Sequence, residues 1–255
     1  MSKSITTAAA AVCAVVLSFS SIAAQGPGGP GGGGRGAAAP AVKYEAREIS
    51  GYWMLPPDAR DGRLVPDAPL LPAVTPQKLA EVAAKDRETV RYCRQIGLPA
   101  AMALGSPYNI RVSPELMVVI SEYAPAQNRN IFLNRKEHIP DEAYDRGVYG
   151  DSIARWEGDV LVVDTTMFDP ERGILSIPGG GFRSADAKLV ERFRLLKNGQ
   201  VLQVVSTWTD ANVFRAPHTY EYRFNRMPPD YDGKLGSGCD PYDEERVAFL
   251  GKMKP

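Results

Sequence analysis

The chain of 255 residues carries 30 basic and 30 acidic side chains, 44% hydrophobic residues, 24 Gly and 21 Pro, a composition that fits one globular domain plus a stretch of low complexity. Zero net charge, with no short segment that gathers Lys and Arg on one face, removes the phosphate attraction that dominates nucleic-acid affinity. DNA and RNA are therefore not expected partners.

The first 24 residues hold Lys3 and an apolar run from Ala8 to Phe19, too short to cross roughly 30 Å of bilayer hydrocarbon. The run ends in Ser21-Ile22-Ala23-Ala24, the small-residue pattern of a secretory signal cleaved after Ala23. Residues 1–24 are read as a signal peptide and the protein as exported, periplasmic or secreted, with no integral membrane segment. Residues 25–42 contain eight Gly and three Pro in eighteen positions and have too few apolar side chains to offset ordering entropy, so they form a flexible linker. Residues 43–255 then form one domain.

Within that domain, an opening strand surrounds Gly51-Tyr52-Trp53. Thr75 is placed to cap a helix and Pro76 to begin it, and Leu79, Val82, Ala83 and Val90 recur at helical spacing until Gly97 and Pro99. Beyond Pro107 the sequence reads as strands near Tyr108 to Val112, Leu116 to Tyr123, Asn130 to Leu133, Ser152 to Trp156, Val160 to Thr166, Leu189 to Leu196, Val201 to Thr209 and His218 to Phe224. The predicted fold is mainly β: an antiparallel meander closed into a lipocalin-like barrel of about eight or nine strands, with one N-terminal helix.

Asn198-Gly199 is a strong two-residue turn signal, and it fixes a register in which paired positions sum to 397. Leu195, Phe193, Glu191 and Leu189 then oppose Leu202, Val204, Ser206 and Trp208 on one face, leaving Arg192 and Arg194 on the other. On the next strand His218, Tyr220, Tyr222 and Phe224 share a face. Glu191, Ser206, Trp208, His218, Tyr220 and Tyr222 are therefore expected to line one interior. A carboxylic acid in apolar surroundings gains a raised pKa and acid/base capacity, with His218 as a relay. The competing expectation is that Glu191 accepts a hydrogen bond from Ser206 and pairs with an arginine. His138 reads as an exposed loop residue, and Gly179-Gly180-Gly181 as a flexible lid over the barrel mouth.

The most distinctive segment runs from Gly150-Asp151-Ser152 through Arg155-Trp156-Glu157-Gly158-Asp159 to Asp164-Thr165. It contains a tight hairpin turn whose loop is two or three residues long, so Trp156 lies opposite Leu161 or Val160. Arg155 is expected to pair with Asp164 or Asp151, or else to anchor an anionic or carbonyl oxygen by its fixed donors. Together with Gly51-Tyr52-Trp53, Ser121-Glu122-Tyr123, Val190-Glu191-Arg192-Phe193-Arg194 and one cysteine in each half, the segment resembles a large family of exported bacterial proteins built around an S-I-x-R-W-E-G-D-x-L-V-V-D core. The resemblance covers about Gly51 to Cys239 and implies export and a β-rich fold, with no general activity. Many relatives carry His where Asp151 stands and another near Arg183, so a metal or imidazole mechanism is weakened here.

Cys93 and Cys239 remain after signal removal, and in an oxidising compartment they are candidates for a disulfide. Two scattered histidines give no transition-metal spacing, no metal or cofactor is expected, and no Gly-x-Ser-x-Gly elbow occurs. The functional expectation is an exported barrel that binds a small apolar or aromatic molecule. Glu191, His218 and Arg155 are its candidate catalytic groups for lyase or isomerase chemistry, and Trp208, Tyr220, Tyr222, Ser206, Trp156 and Asp151 its candidate ligand contacts. The alternative is a structural or interaction protein of the cell envelope with a packed barrel.

Overall fold

The computed structural model describes residues 44–57, 65–103, 105–121 and 127–233. The expected signal segment, the linker and Cys239 lie outside the described residues. Nine strands follow one another in chain order: β1 (Gly51–Met54), β2 (Tyr108–Val112), β3 (Leu116–Ser121), β4 (Gln127–Phe132), β5 (Asp151–Glu157), β6 (Val160–Thr166), β7 (Lys188–Leu196), β8 (Val201–Thr209) and β9 (His218–Arg226). Each pairs with its neighbour, and β1 pairs with β9 to close the barrel. The fold is mainly β, as the β-branched and aromatic runs between turn signals predict.

The barrel is mixed, because an odd ring cannot be antiparallel throughout: each antiparallel seam reverses direction, and nine reversals would not return to the start. Here β4 and β5 run parallel, joined at Phe132 and Ile153, while the other seams are antiparallel. A parallel pair needs a crossover of a dozen or more residues, and residues 133–150 supply it, including a 3-10 turn at Asp141–Ala143.

The β7–β8 register sums to 397 from Lys188↔Thr209 to Leu196↔Val201. Lys197 O accepts the Gln200 N–H across Asn198 and Gly199, whose φ values of 54° and 84° require residues tolerant of the left-handed region. At the β5–β6 hairpin, Glu157 pairs with Val160 and Trp156 with Leu161, which selects the two-residue loop. Gly158, with φ of 62°, takes the first central position, the place a type II′ turn reserves for glycine.

Helix α1 (Pro76–Arg91) starts where the Thr75 hydroxyl accepts the Lys78 N–H, with Pro76 in the first turn. Its packed face differs from the apolar spacing: Val82 and Thr89 are buried, whereas Val90 is 51% exposed. Polar bonds account for the shift. The Thr89 hydroxyl donates to Gly173 O, and Asp86 accepts the N–H groups of Leu175 and Ser176.

One end of the barrel is closed by packed loops. Residues 68–71 bond with 179 and 213–215. The Gly179-Gly180-Gly181 segment, expected to be a flexible lid, is a packed cover: a Cβ at Gly179 would lie 2.1 Å from Pro66 O, and one at Gly181 2.7 Å from the Phe214 ring.

Candidate functional site

The barrel interior brings together the residues that alternation places there. Glu191, Ser206, Trp208, His218, Tyr220 and Tyr222 are all buried. They do not line an open cavity, because aromatic rings fill the space. His218, Tyr220, Tyr222 and Phe224 stack along β9 with centroids 5.4–6.3 Å apart, and Trp208 packs on Phe168 at 5.4 Å. The Tyr220 hydroxyl accepts the Trp208 indole N–H at 3.1 Å and bonds with Ser206. Burial holds the Tyr220 phenol well above its ordinary range and pushes Tyr222 up to about 12. The His218 ring reaches Pro178 O at 2.6 Å and lies beneath the glycine cover.

Glu191 is tied by a residue that sequence reasoning did not single out. Arg129, on β4 and 1% exposed, bonds through Nη2 to Glu191 Oε2 at 2.5 Å, to Thr165 Oγ1 at 3.0 Å and to Ser152 Oγ at 3.4 Å. The arginine pairing weighed for Glu191 is therefore the observed one, with Thr165 and Ser152 as the nearby hydroxyls and Ser206 turned to Tyr220. Arg129 Nε and Nη1 are buried without a hydrogen-bond partner. They border a cavity of about 10 Å³ lined by Met102, Tyr108, Val119, Ser121 and Tyr149, a space for about one water molecule. The signal for Arg129 was its parity with buried Ile131, opposite inward-facing Val119.

Asp151 and its partners Arg135, His138 and Ile139 in the crossover form a second cluster on the outer face of β5.

 The crossover arches over the strand here: Asp151, 3% exposed, accepts from Arg135, from the His138 ring at 2.8 Å and from the Ile139 N–H at 3.3 Å. The second ring nitrogen of His138 faces Asp164 Oδ1 at 3.4 Å. His138, read as an exposed loop residue, is thus wedged between two carboxylates, and Asp151 anchors the crossover. Burial, the largest single influence on Asp151, raises its pKa. The bonds from Arg135 and His138, the Arg135 charge and the Ile139 N–H together outweigh burial and hold the carboxyl below its ordinary value.

Arg155 pairs with neither Asp164 nor Asp151. It lies on the outer face of β5, with its side chain 66% exposed, and bonds Glu157 at 2.6 Å. Trp156, on the inner face, packs against the core, and Arg47 lies 5.2 Å from its ring centroid. Arg183, also missed, is a buried cation bonded to the carbonyls of Leu98, Asp169 and Arg172. Burial pulls its pKa down to about 10, against the raising influence of Asp169 and Asp86. Cys93 follows α1 with φ of 51°, and its expected partner Cys239 lies outside the described residues.

Where β4 ends, the Leu133 N–H turns to Glu115 O, and a cleft of about 510 Å³ opens between the β2–β3 turn, the crossover and the second half of β5. Pro114, Leu133, Ile153, Ala154 and Trp156 give it apolar walls, and Arg135, Lys136 and Arg155 line it with positive charge. None of the described residues lining it is acidic. Two of the expected site residues, Trp156 and Arg155, meet here, and the remainder lie in the packed interior or, for Asp151, beneath the crossover. Among the described residues, no group of three or more His, Cys, Asp or Glu is placed to hold a metal ion, and no helix is long and apolar enough to cross a membrane. No family model matches the chain, and no curated protein matches it significantly.

Proposed function

We propose that this is an exported binding protein that takes a small molecule with an apolar or aromatic body in the cleft beside the parallel seam. The cleft itself carries the reading: its volume of about 510 Å³ falls within the range of small-molecule sites, which are mostly apolar with a few polar groups. Trp156 supplies a flat wall there, whereas Trp208 is sealed in the core. Binding is favoured over lyase or isomerase turnover because Glu191 is held by Arg129 inside the barrel, away from the cleft residues.

Titration of the mature protein with naphthalene, followed by tryptophan emission, tests the site. The response should vanish in Trp156→Phe and persist in Trp208→Phe. The opposite pattern would move binding into the barrel. Absence of binding would favour the second reading, an envelope structural or interaction protein, which draws on the filled interior. Export, membership of the family that the core motif resembles and a Cys93–Cys239 bridge belong to the same proposal. Mass analysis of a periplasmic fraction should find a chain beginning at Ala24, and non-reducing peptide mapping should find the cross-linked cysteines; two alkylatable thiols would reject the bridge.

A further inference from the structure

We infer that the molecule taken by the seam cleft is a monocarboxylate, with its apolar body on the walls and its carboxylate on the positive lining beside the open edge of β5. The inference rests on the cleft being the binding site. Arg135, Lys136 and Arg155 come from two separate segments and converge on one cleft without an acidic residue in its described lining, although the chain as a whole has equal numbers of acids and bases. With Arg135 and Arg155 paired to Asp151 and Glu157, the Lys136 charge is left uncompensated among the described residues, beside apolar walls, and an anionic occupant offsets it.

The strand edge adds directed donors. Glu157 and Val160 close a two-residue hairpin, so alternation turns the main-chain N–H and C=O of Trp156 away from β6, toward the side where β4 has already departed. The cleft thus offers a main-chain N–H beside the exposed Arg155 guanidinium, whose Nη2 bonds Glu157. Arg135 and Arg155 are already engaged with Asp151 and Glu157. Lys136 is the lining cation without an ion pair among the described residues, which suits one negative charge better than two.

Calorimetric titration of the mature protein with naphthalene-2-carboxylate and with naphthalene-2-carboxamide, which share an apolar body, tests the inference. The carboxylate should bind at least about tenfold more tightly at low salt, the scale of a hydrogen bond to a charged group. Its advantage should shrink as salt screens the exposed charges. Lys136→Gln and Arg155→Gln, both at surface positions, should each reduce carboxylate affinity and leave the amide unchanged. Equal affinity for both probes, with the Trp156 emission response retained, would overturn the carboxylate while leaving the cleft in place. Failure of both probes to perturb Trp156 would overturn the cleft, and the carboxylate with it.

Discussion

Glu191 shows how one residue can be read correctly in position and still keep its role hidden. Its inward orientation follows from the Asn198-Gly199 turn, because a two-residue hairpin leaves no freedom in the facing of β7 and β8. Its partner does not follow from any turn. Arg129 sits on a short polar strand, Gln127–Phe132, and reaches Glu191 past Ser152 and Thr165 on the two intervening strands. A buried pair loses more when one member is removed than when both are replaced by apolar groups, since the survivor is left as an uncompensated charge. Glu191→Gln is therefore expected to destabilise the protein by about 3–5 kcal/mol, and the double replacement Arg129→Met with Glu191→Leu by less. Urea unfolding of the three proteins checks this. A Glu191→Gln protein as stable as the parent would show that the pair contributes nothing to folding.

At the scale of elements, the strands were legible as β-branched and aromatic runs bounded by turn signals, with alternation fixing the facing of β7 to β9, while the pairing direction at one seam was not. Local alternation is blind to whether a neighbour runs parallel, and the parity of an odd ring appears only when strands are counted around the closure. The crossover that makes the parallel seam is held to β5 by Asp151. A carboxyl whose folded pKa lies below its unfolded value of about 3.9 contributes stability above that pH and loses it as pH falls through the folded value. Asp151 fits this case, since its bonds from Arg135, His138 and Ile139 outweigh the raising influence of burial. Acid should thus release the crossover while leaving the β7–β9 region paired. Hydrogen exchange at pH 7 and pH 3 should show protection at the Ile139 amide falling faster than protection along β8, and Asp151→Asn should flatten the difference. Matching acid profiles in parent and variant would assign the anchoring elsewhere.

For the molecule as a whole, closure at one end of the barrel and the cleft beside the parallel seam follow from where the loops pack. The glycine triplet reads in sequence as flexible, because three residues without side chains have the widest backbone freedom. In the fold that freedom serves close packing: all three have positive φ, but their surroundings differ. A Cβ at Gly179 would meet Pro66 O at 2.1 Å and the His218 ring at 3.0 Å, whereas one at Gly180 would meet nothing within 4 Å. Both alanine variants carry the backbone strain of an L-residue at positive φ, which costs more than about 1 kcal/mol. Gly179→Ala must also displace the loop from the end of the barrel, so it should be clearly the less stable of the two in thermal unfolding. Naphthalene binding at the seam should be unchanged in Gly180→Ala, because the cleft lies by the β2–β3 turn and is built from other segments. Equal melting temperatures for the two variants would mean that the cover is loosely held. Loss of seam binding in Gly180→Ala, with its stability intact, would place the route of entry at the covered end.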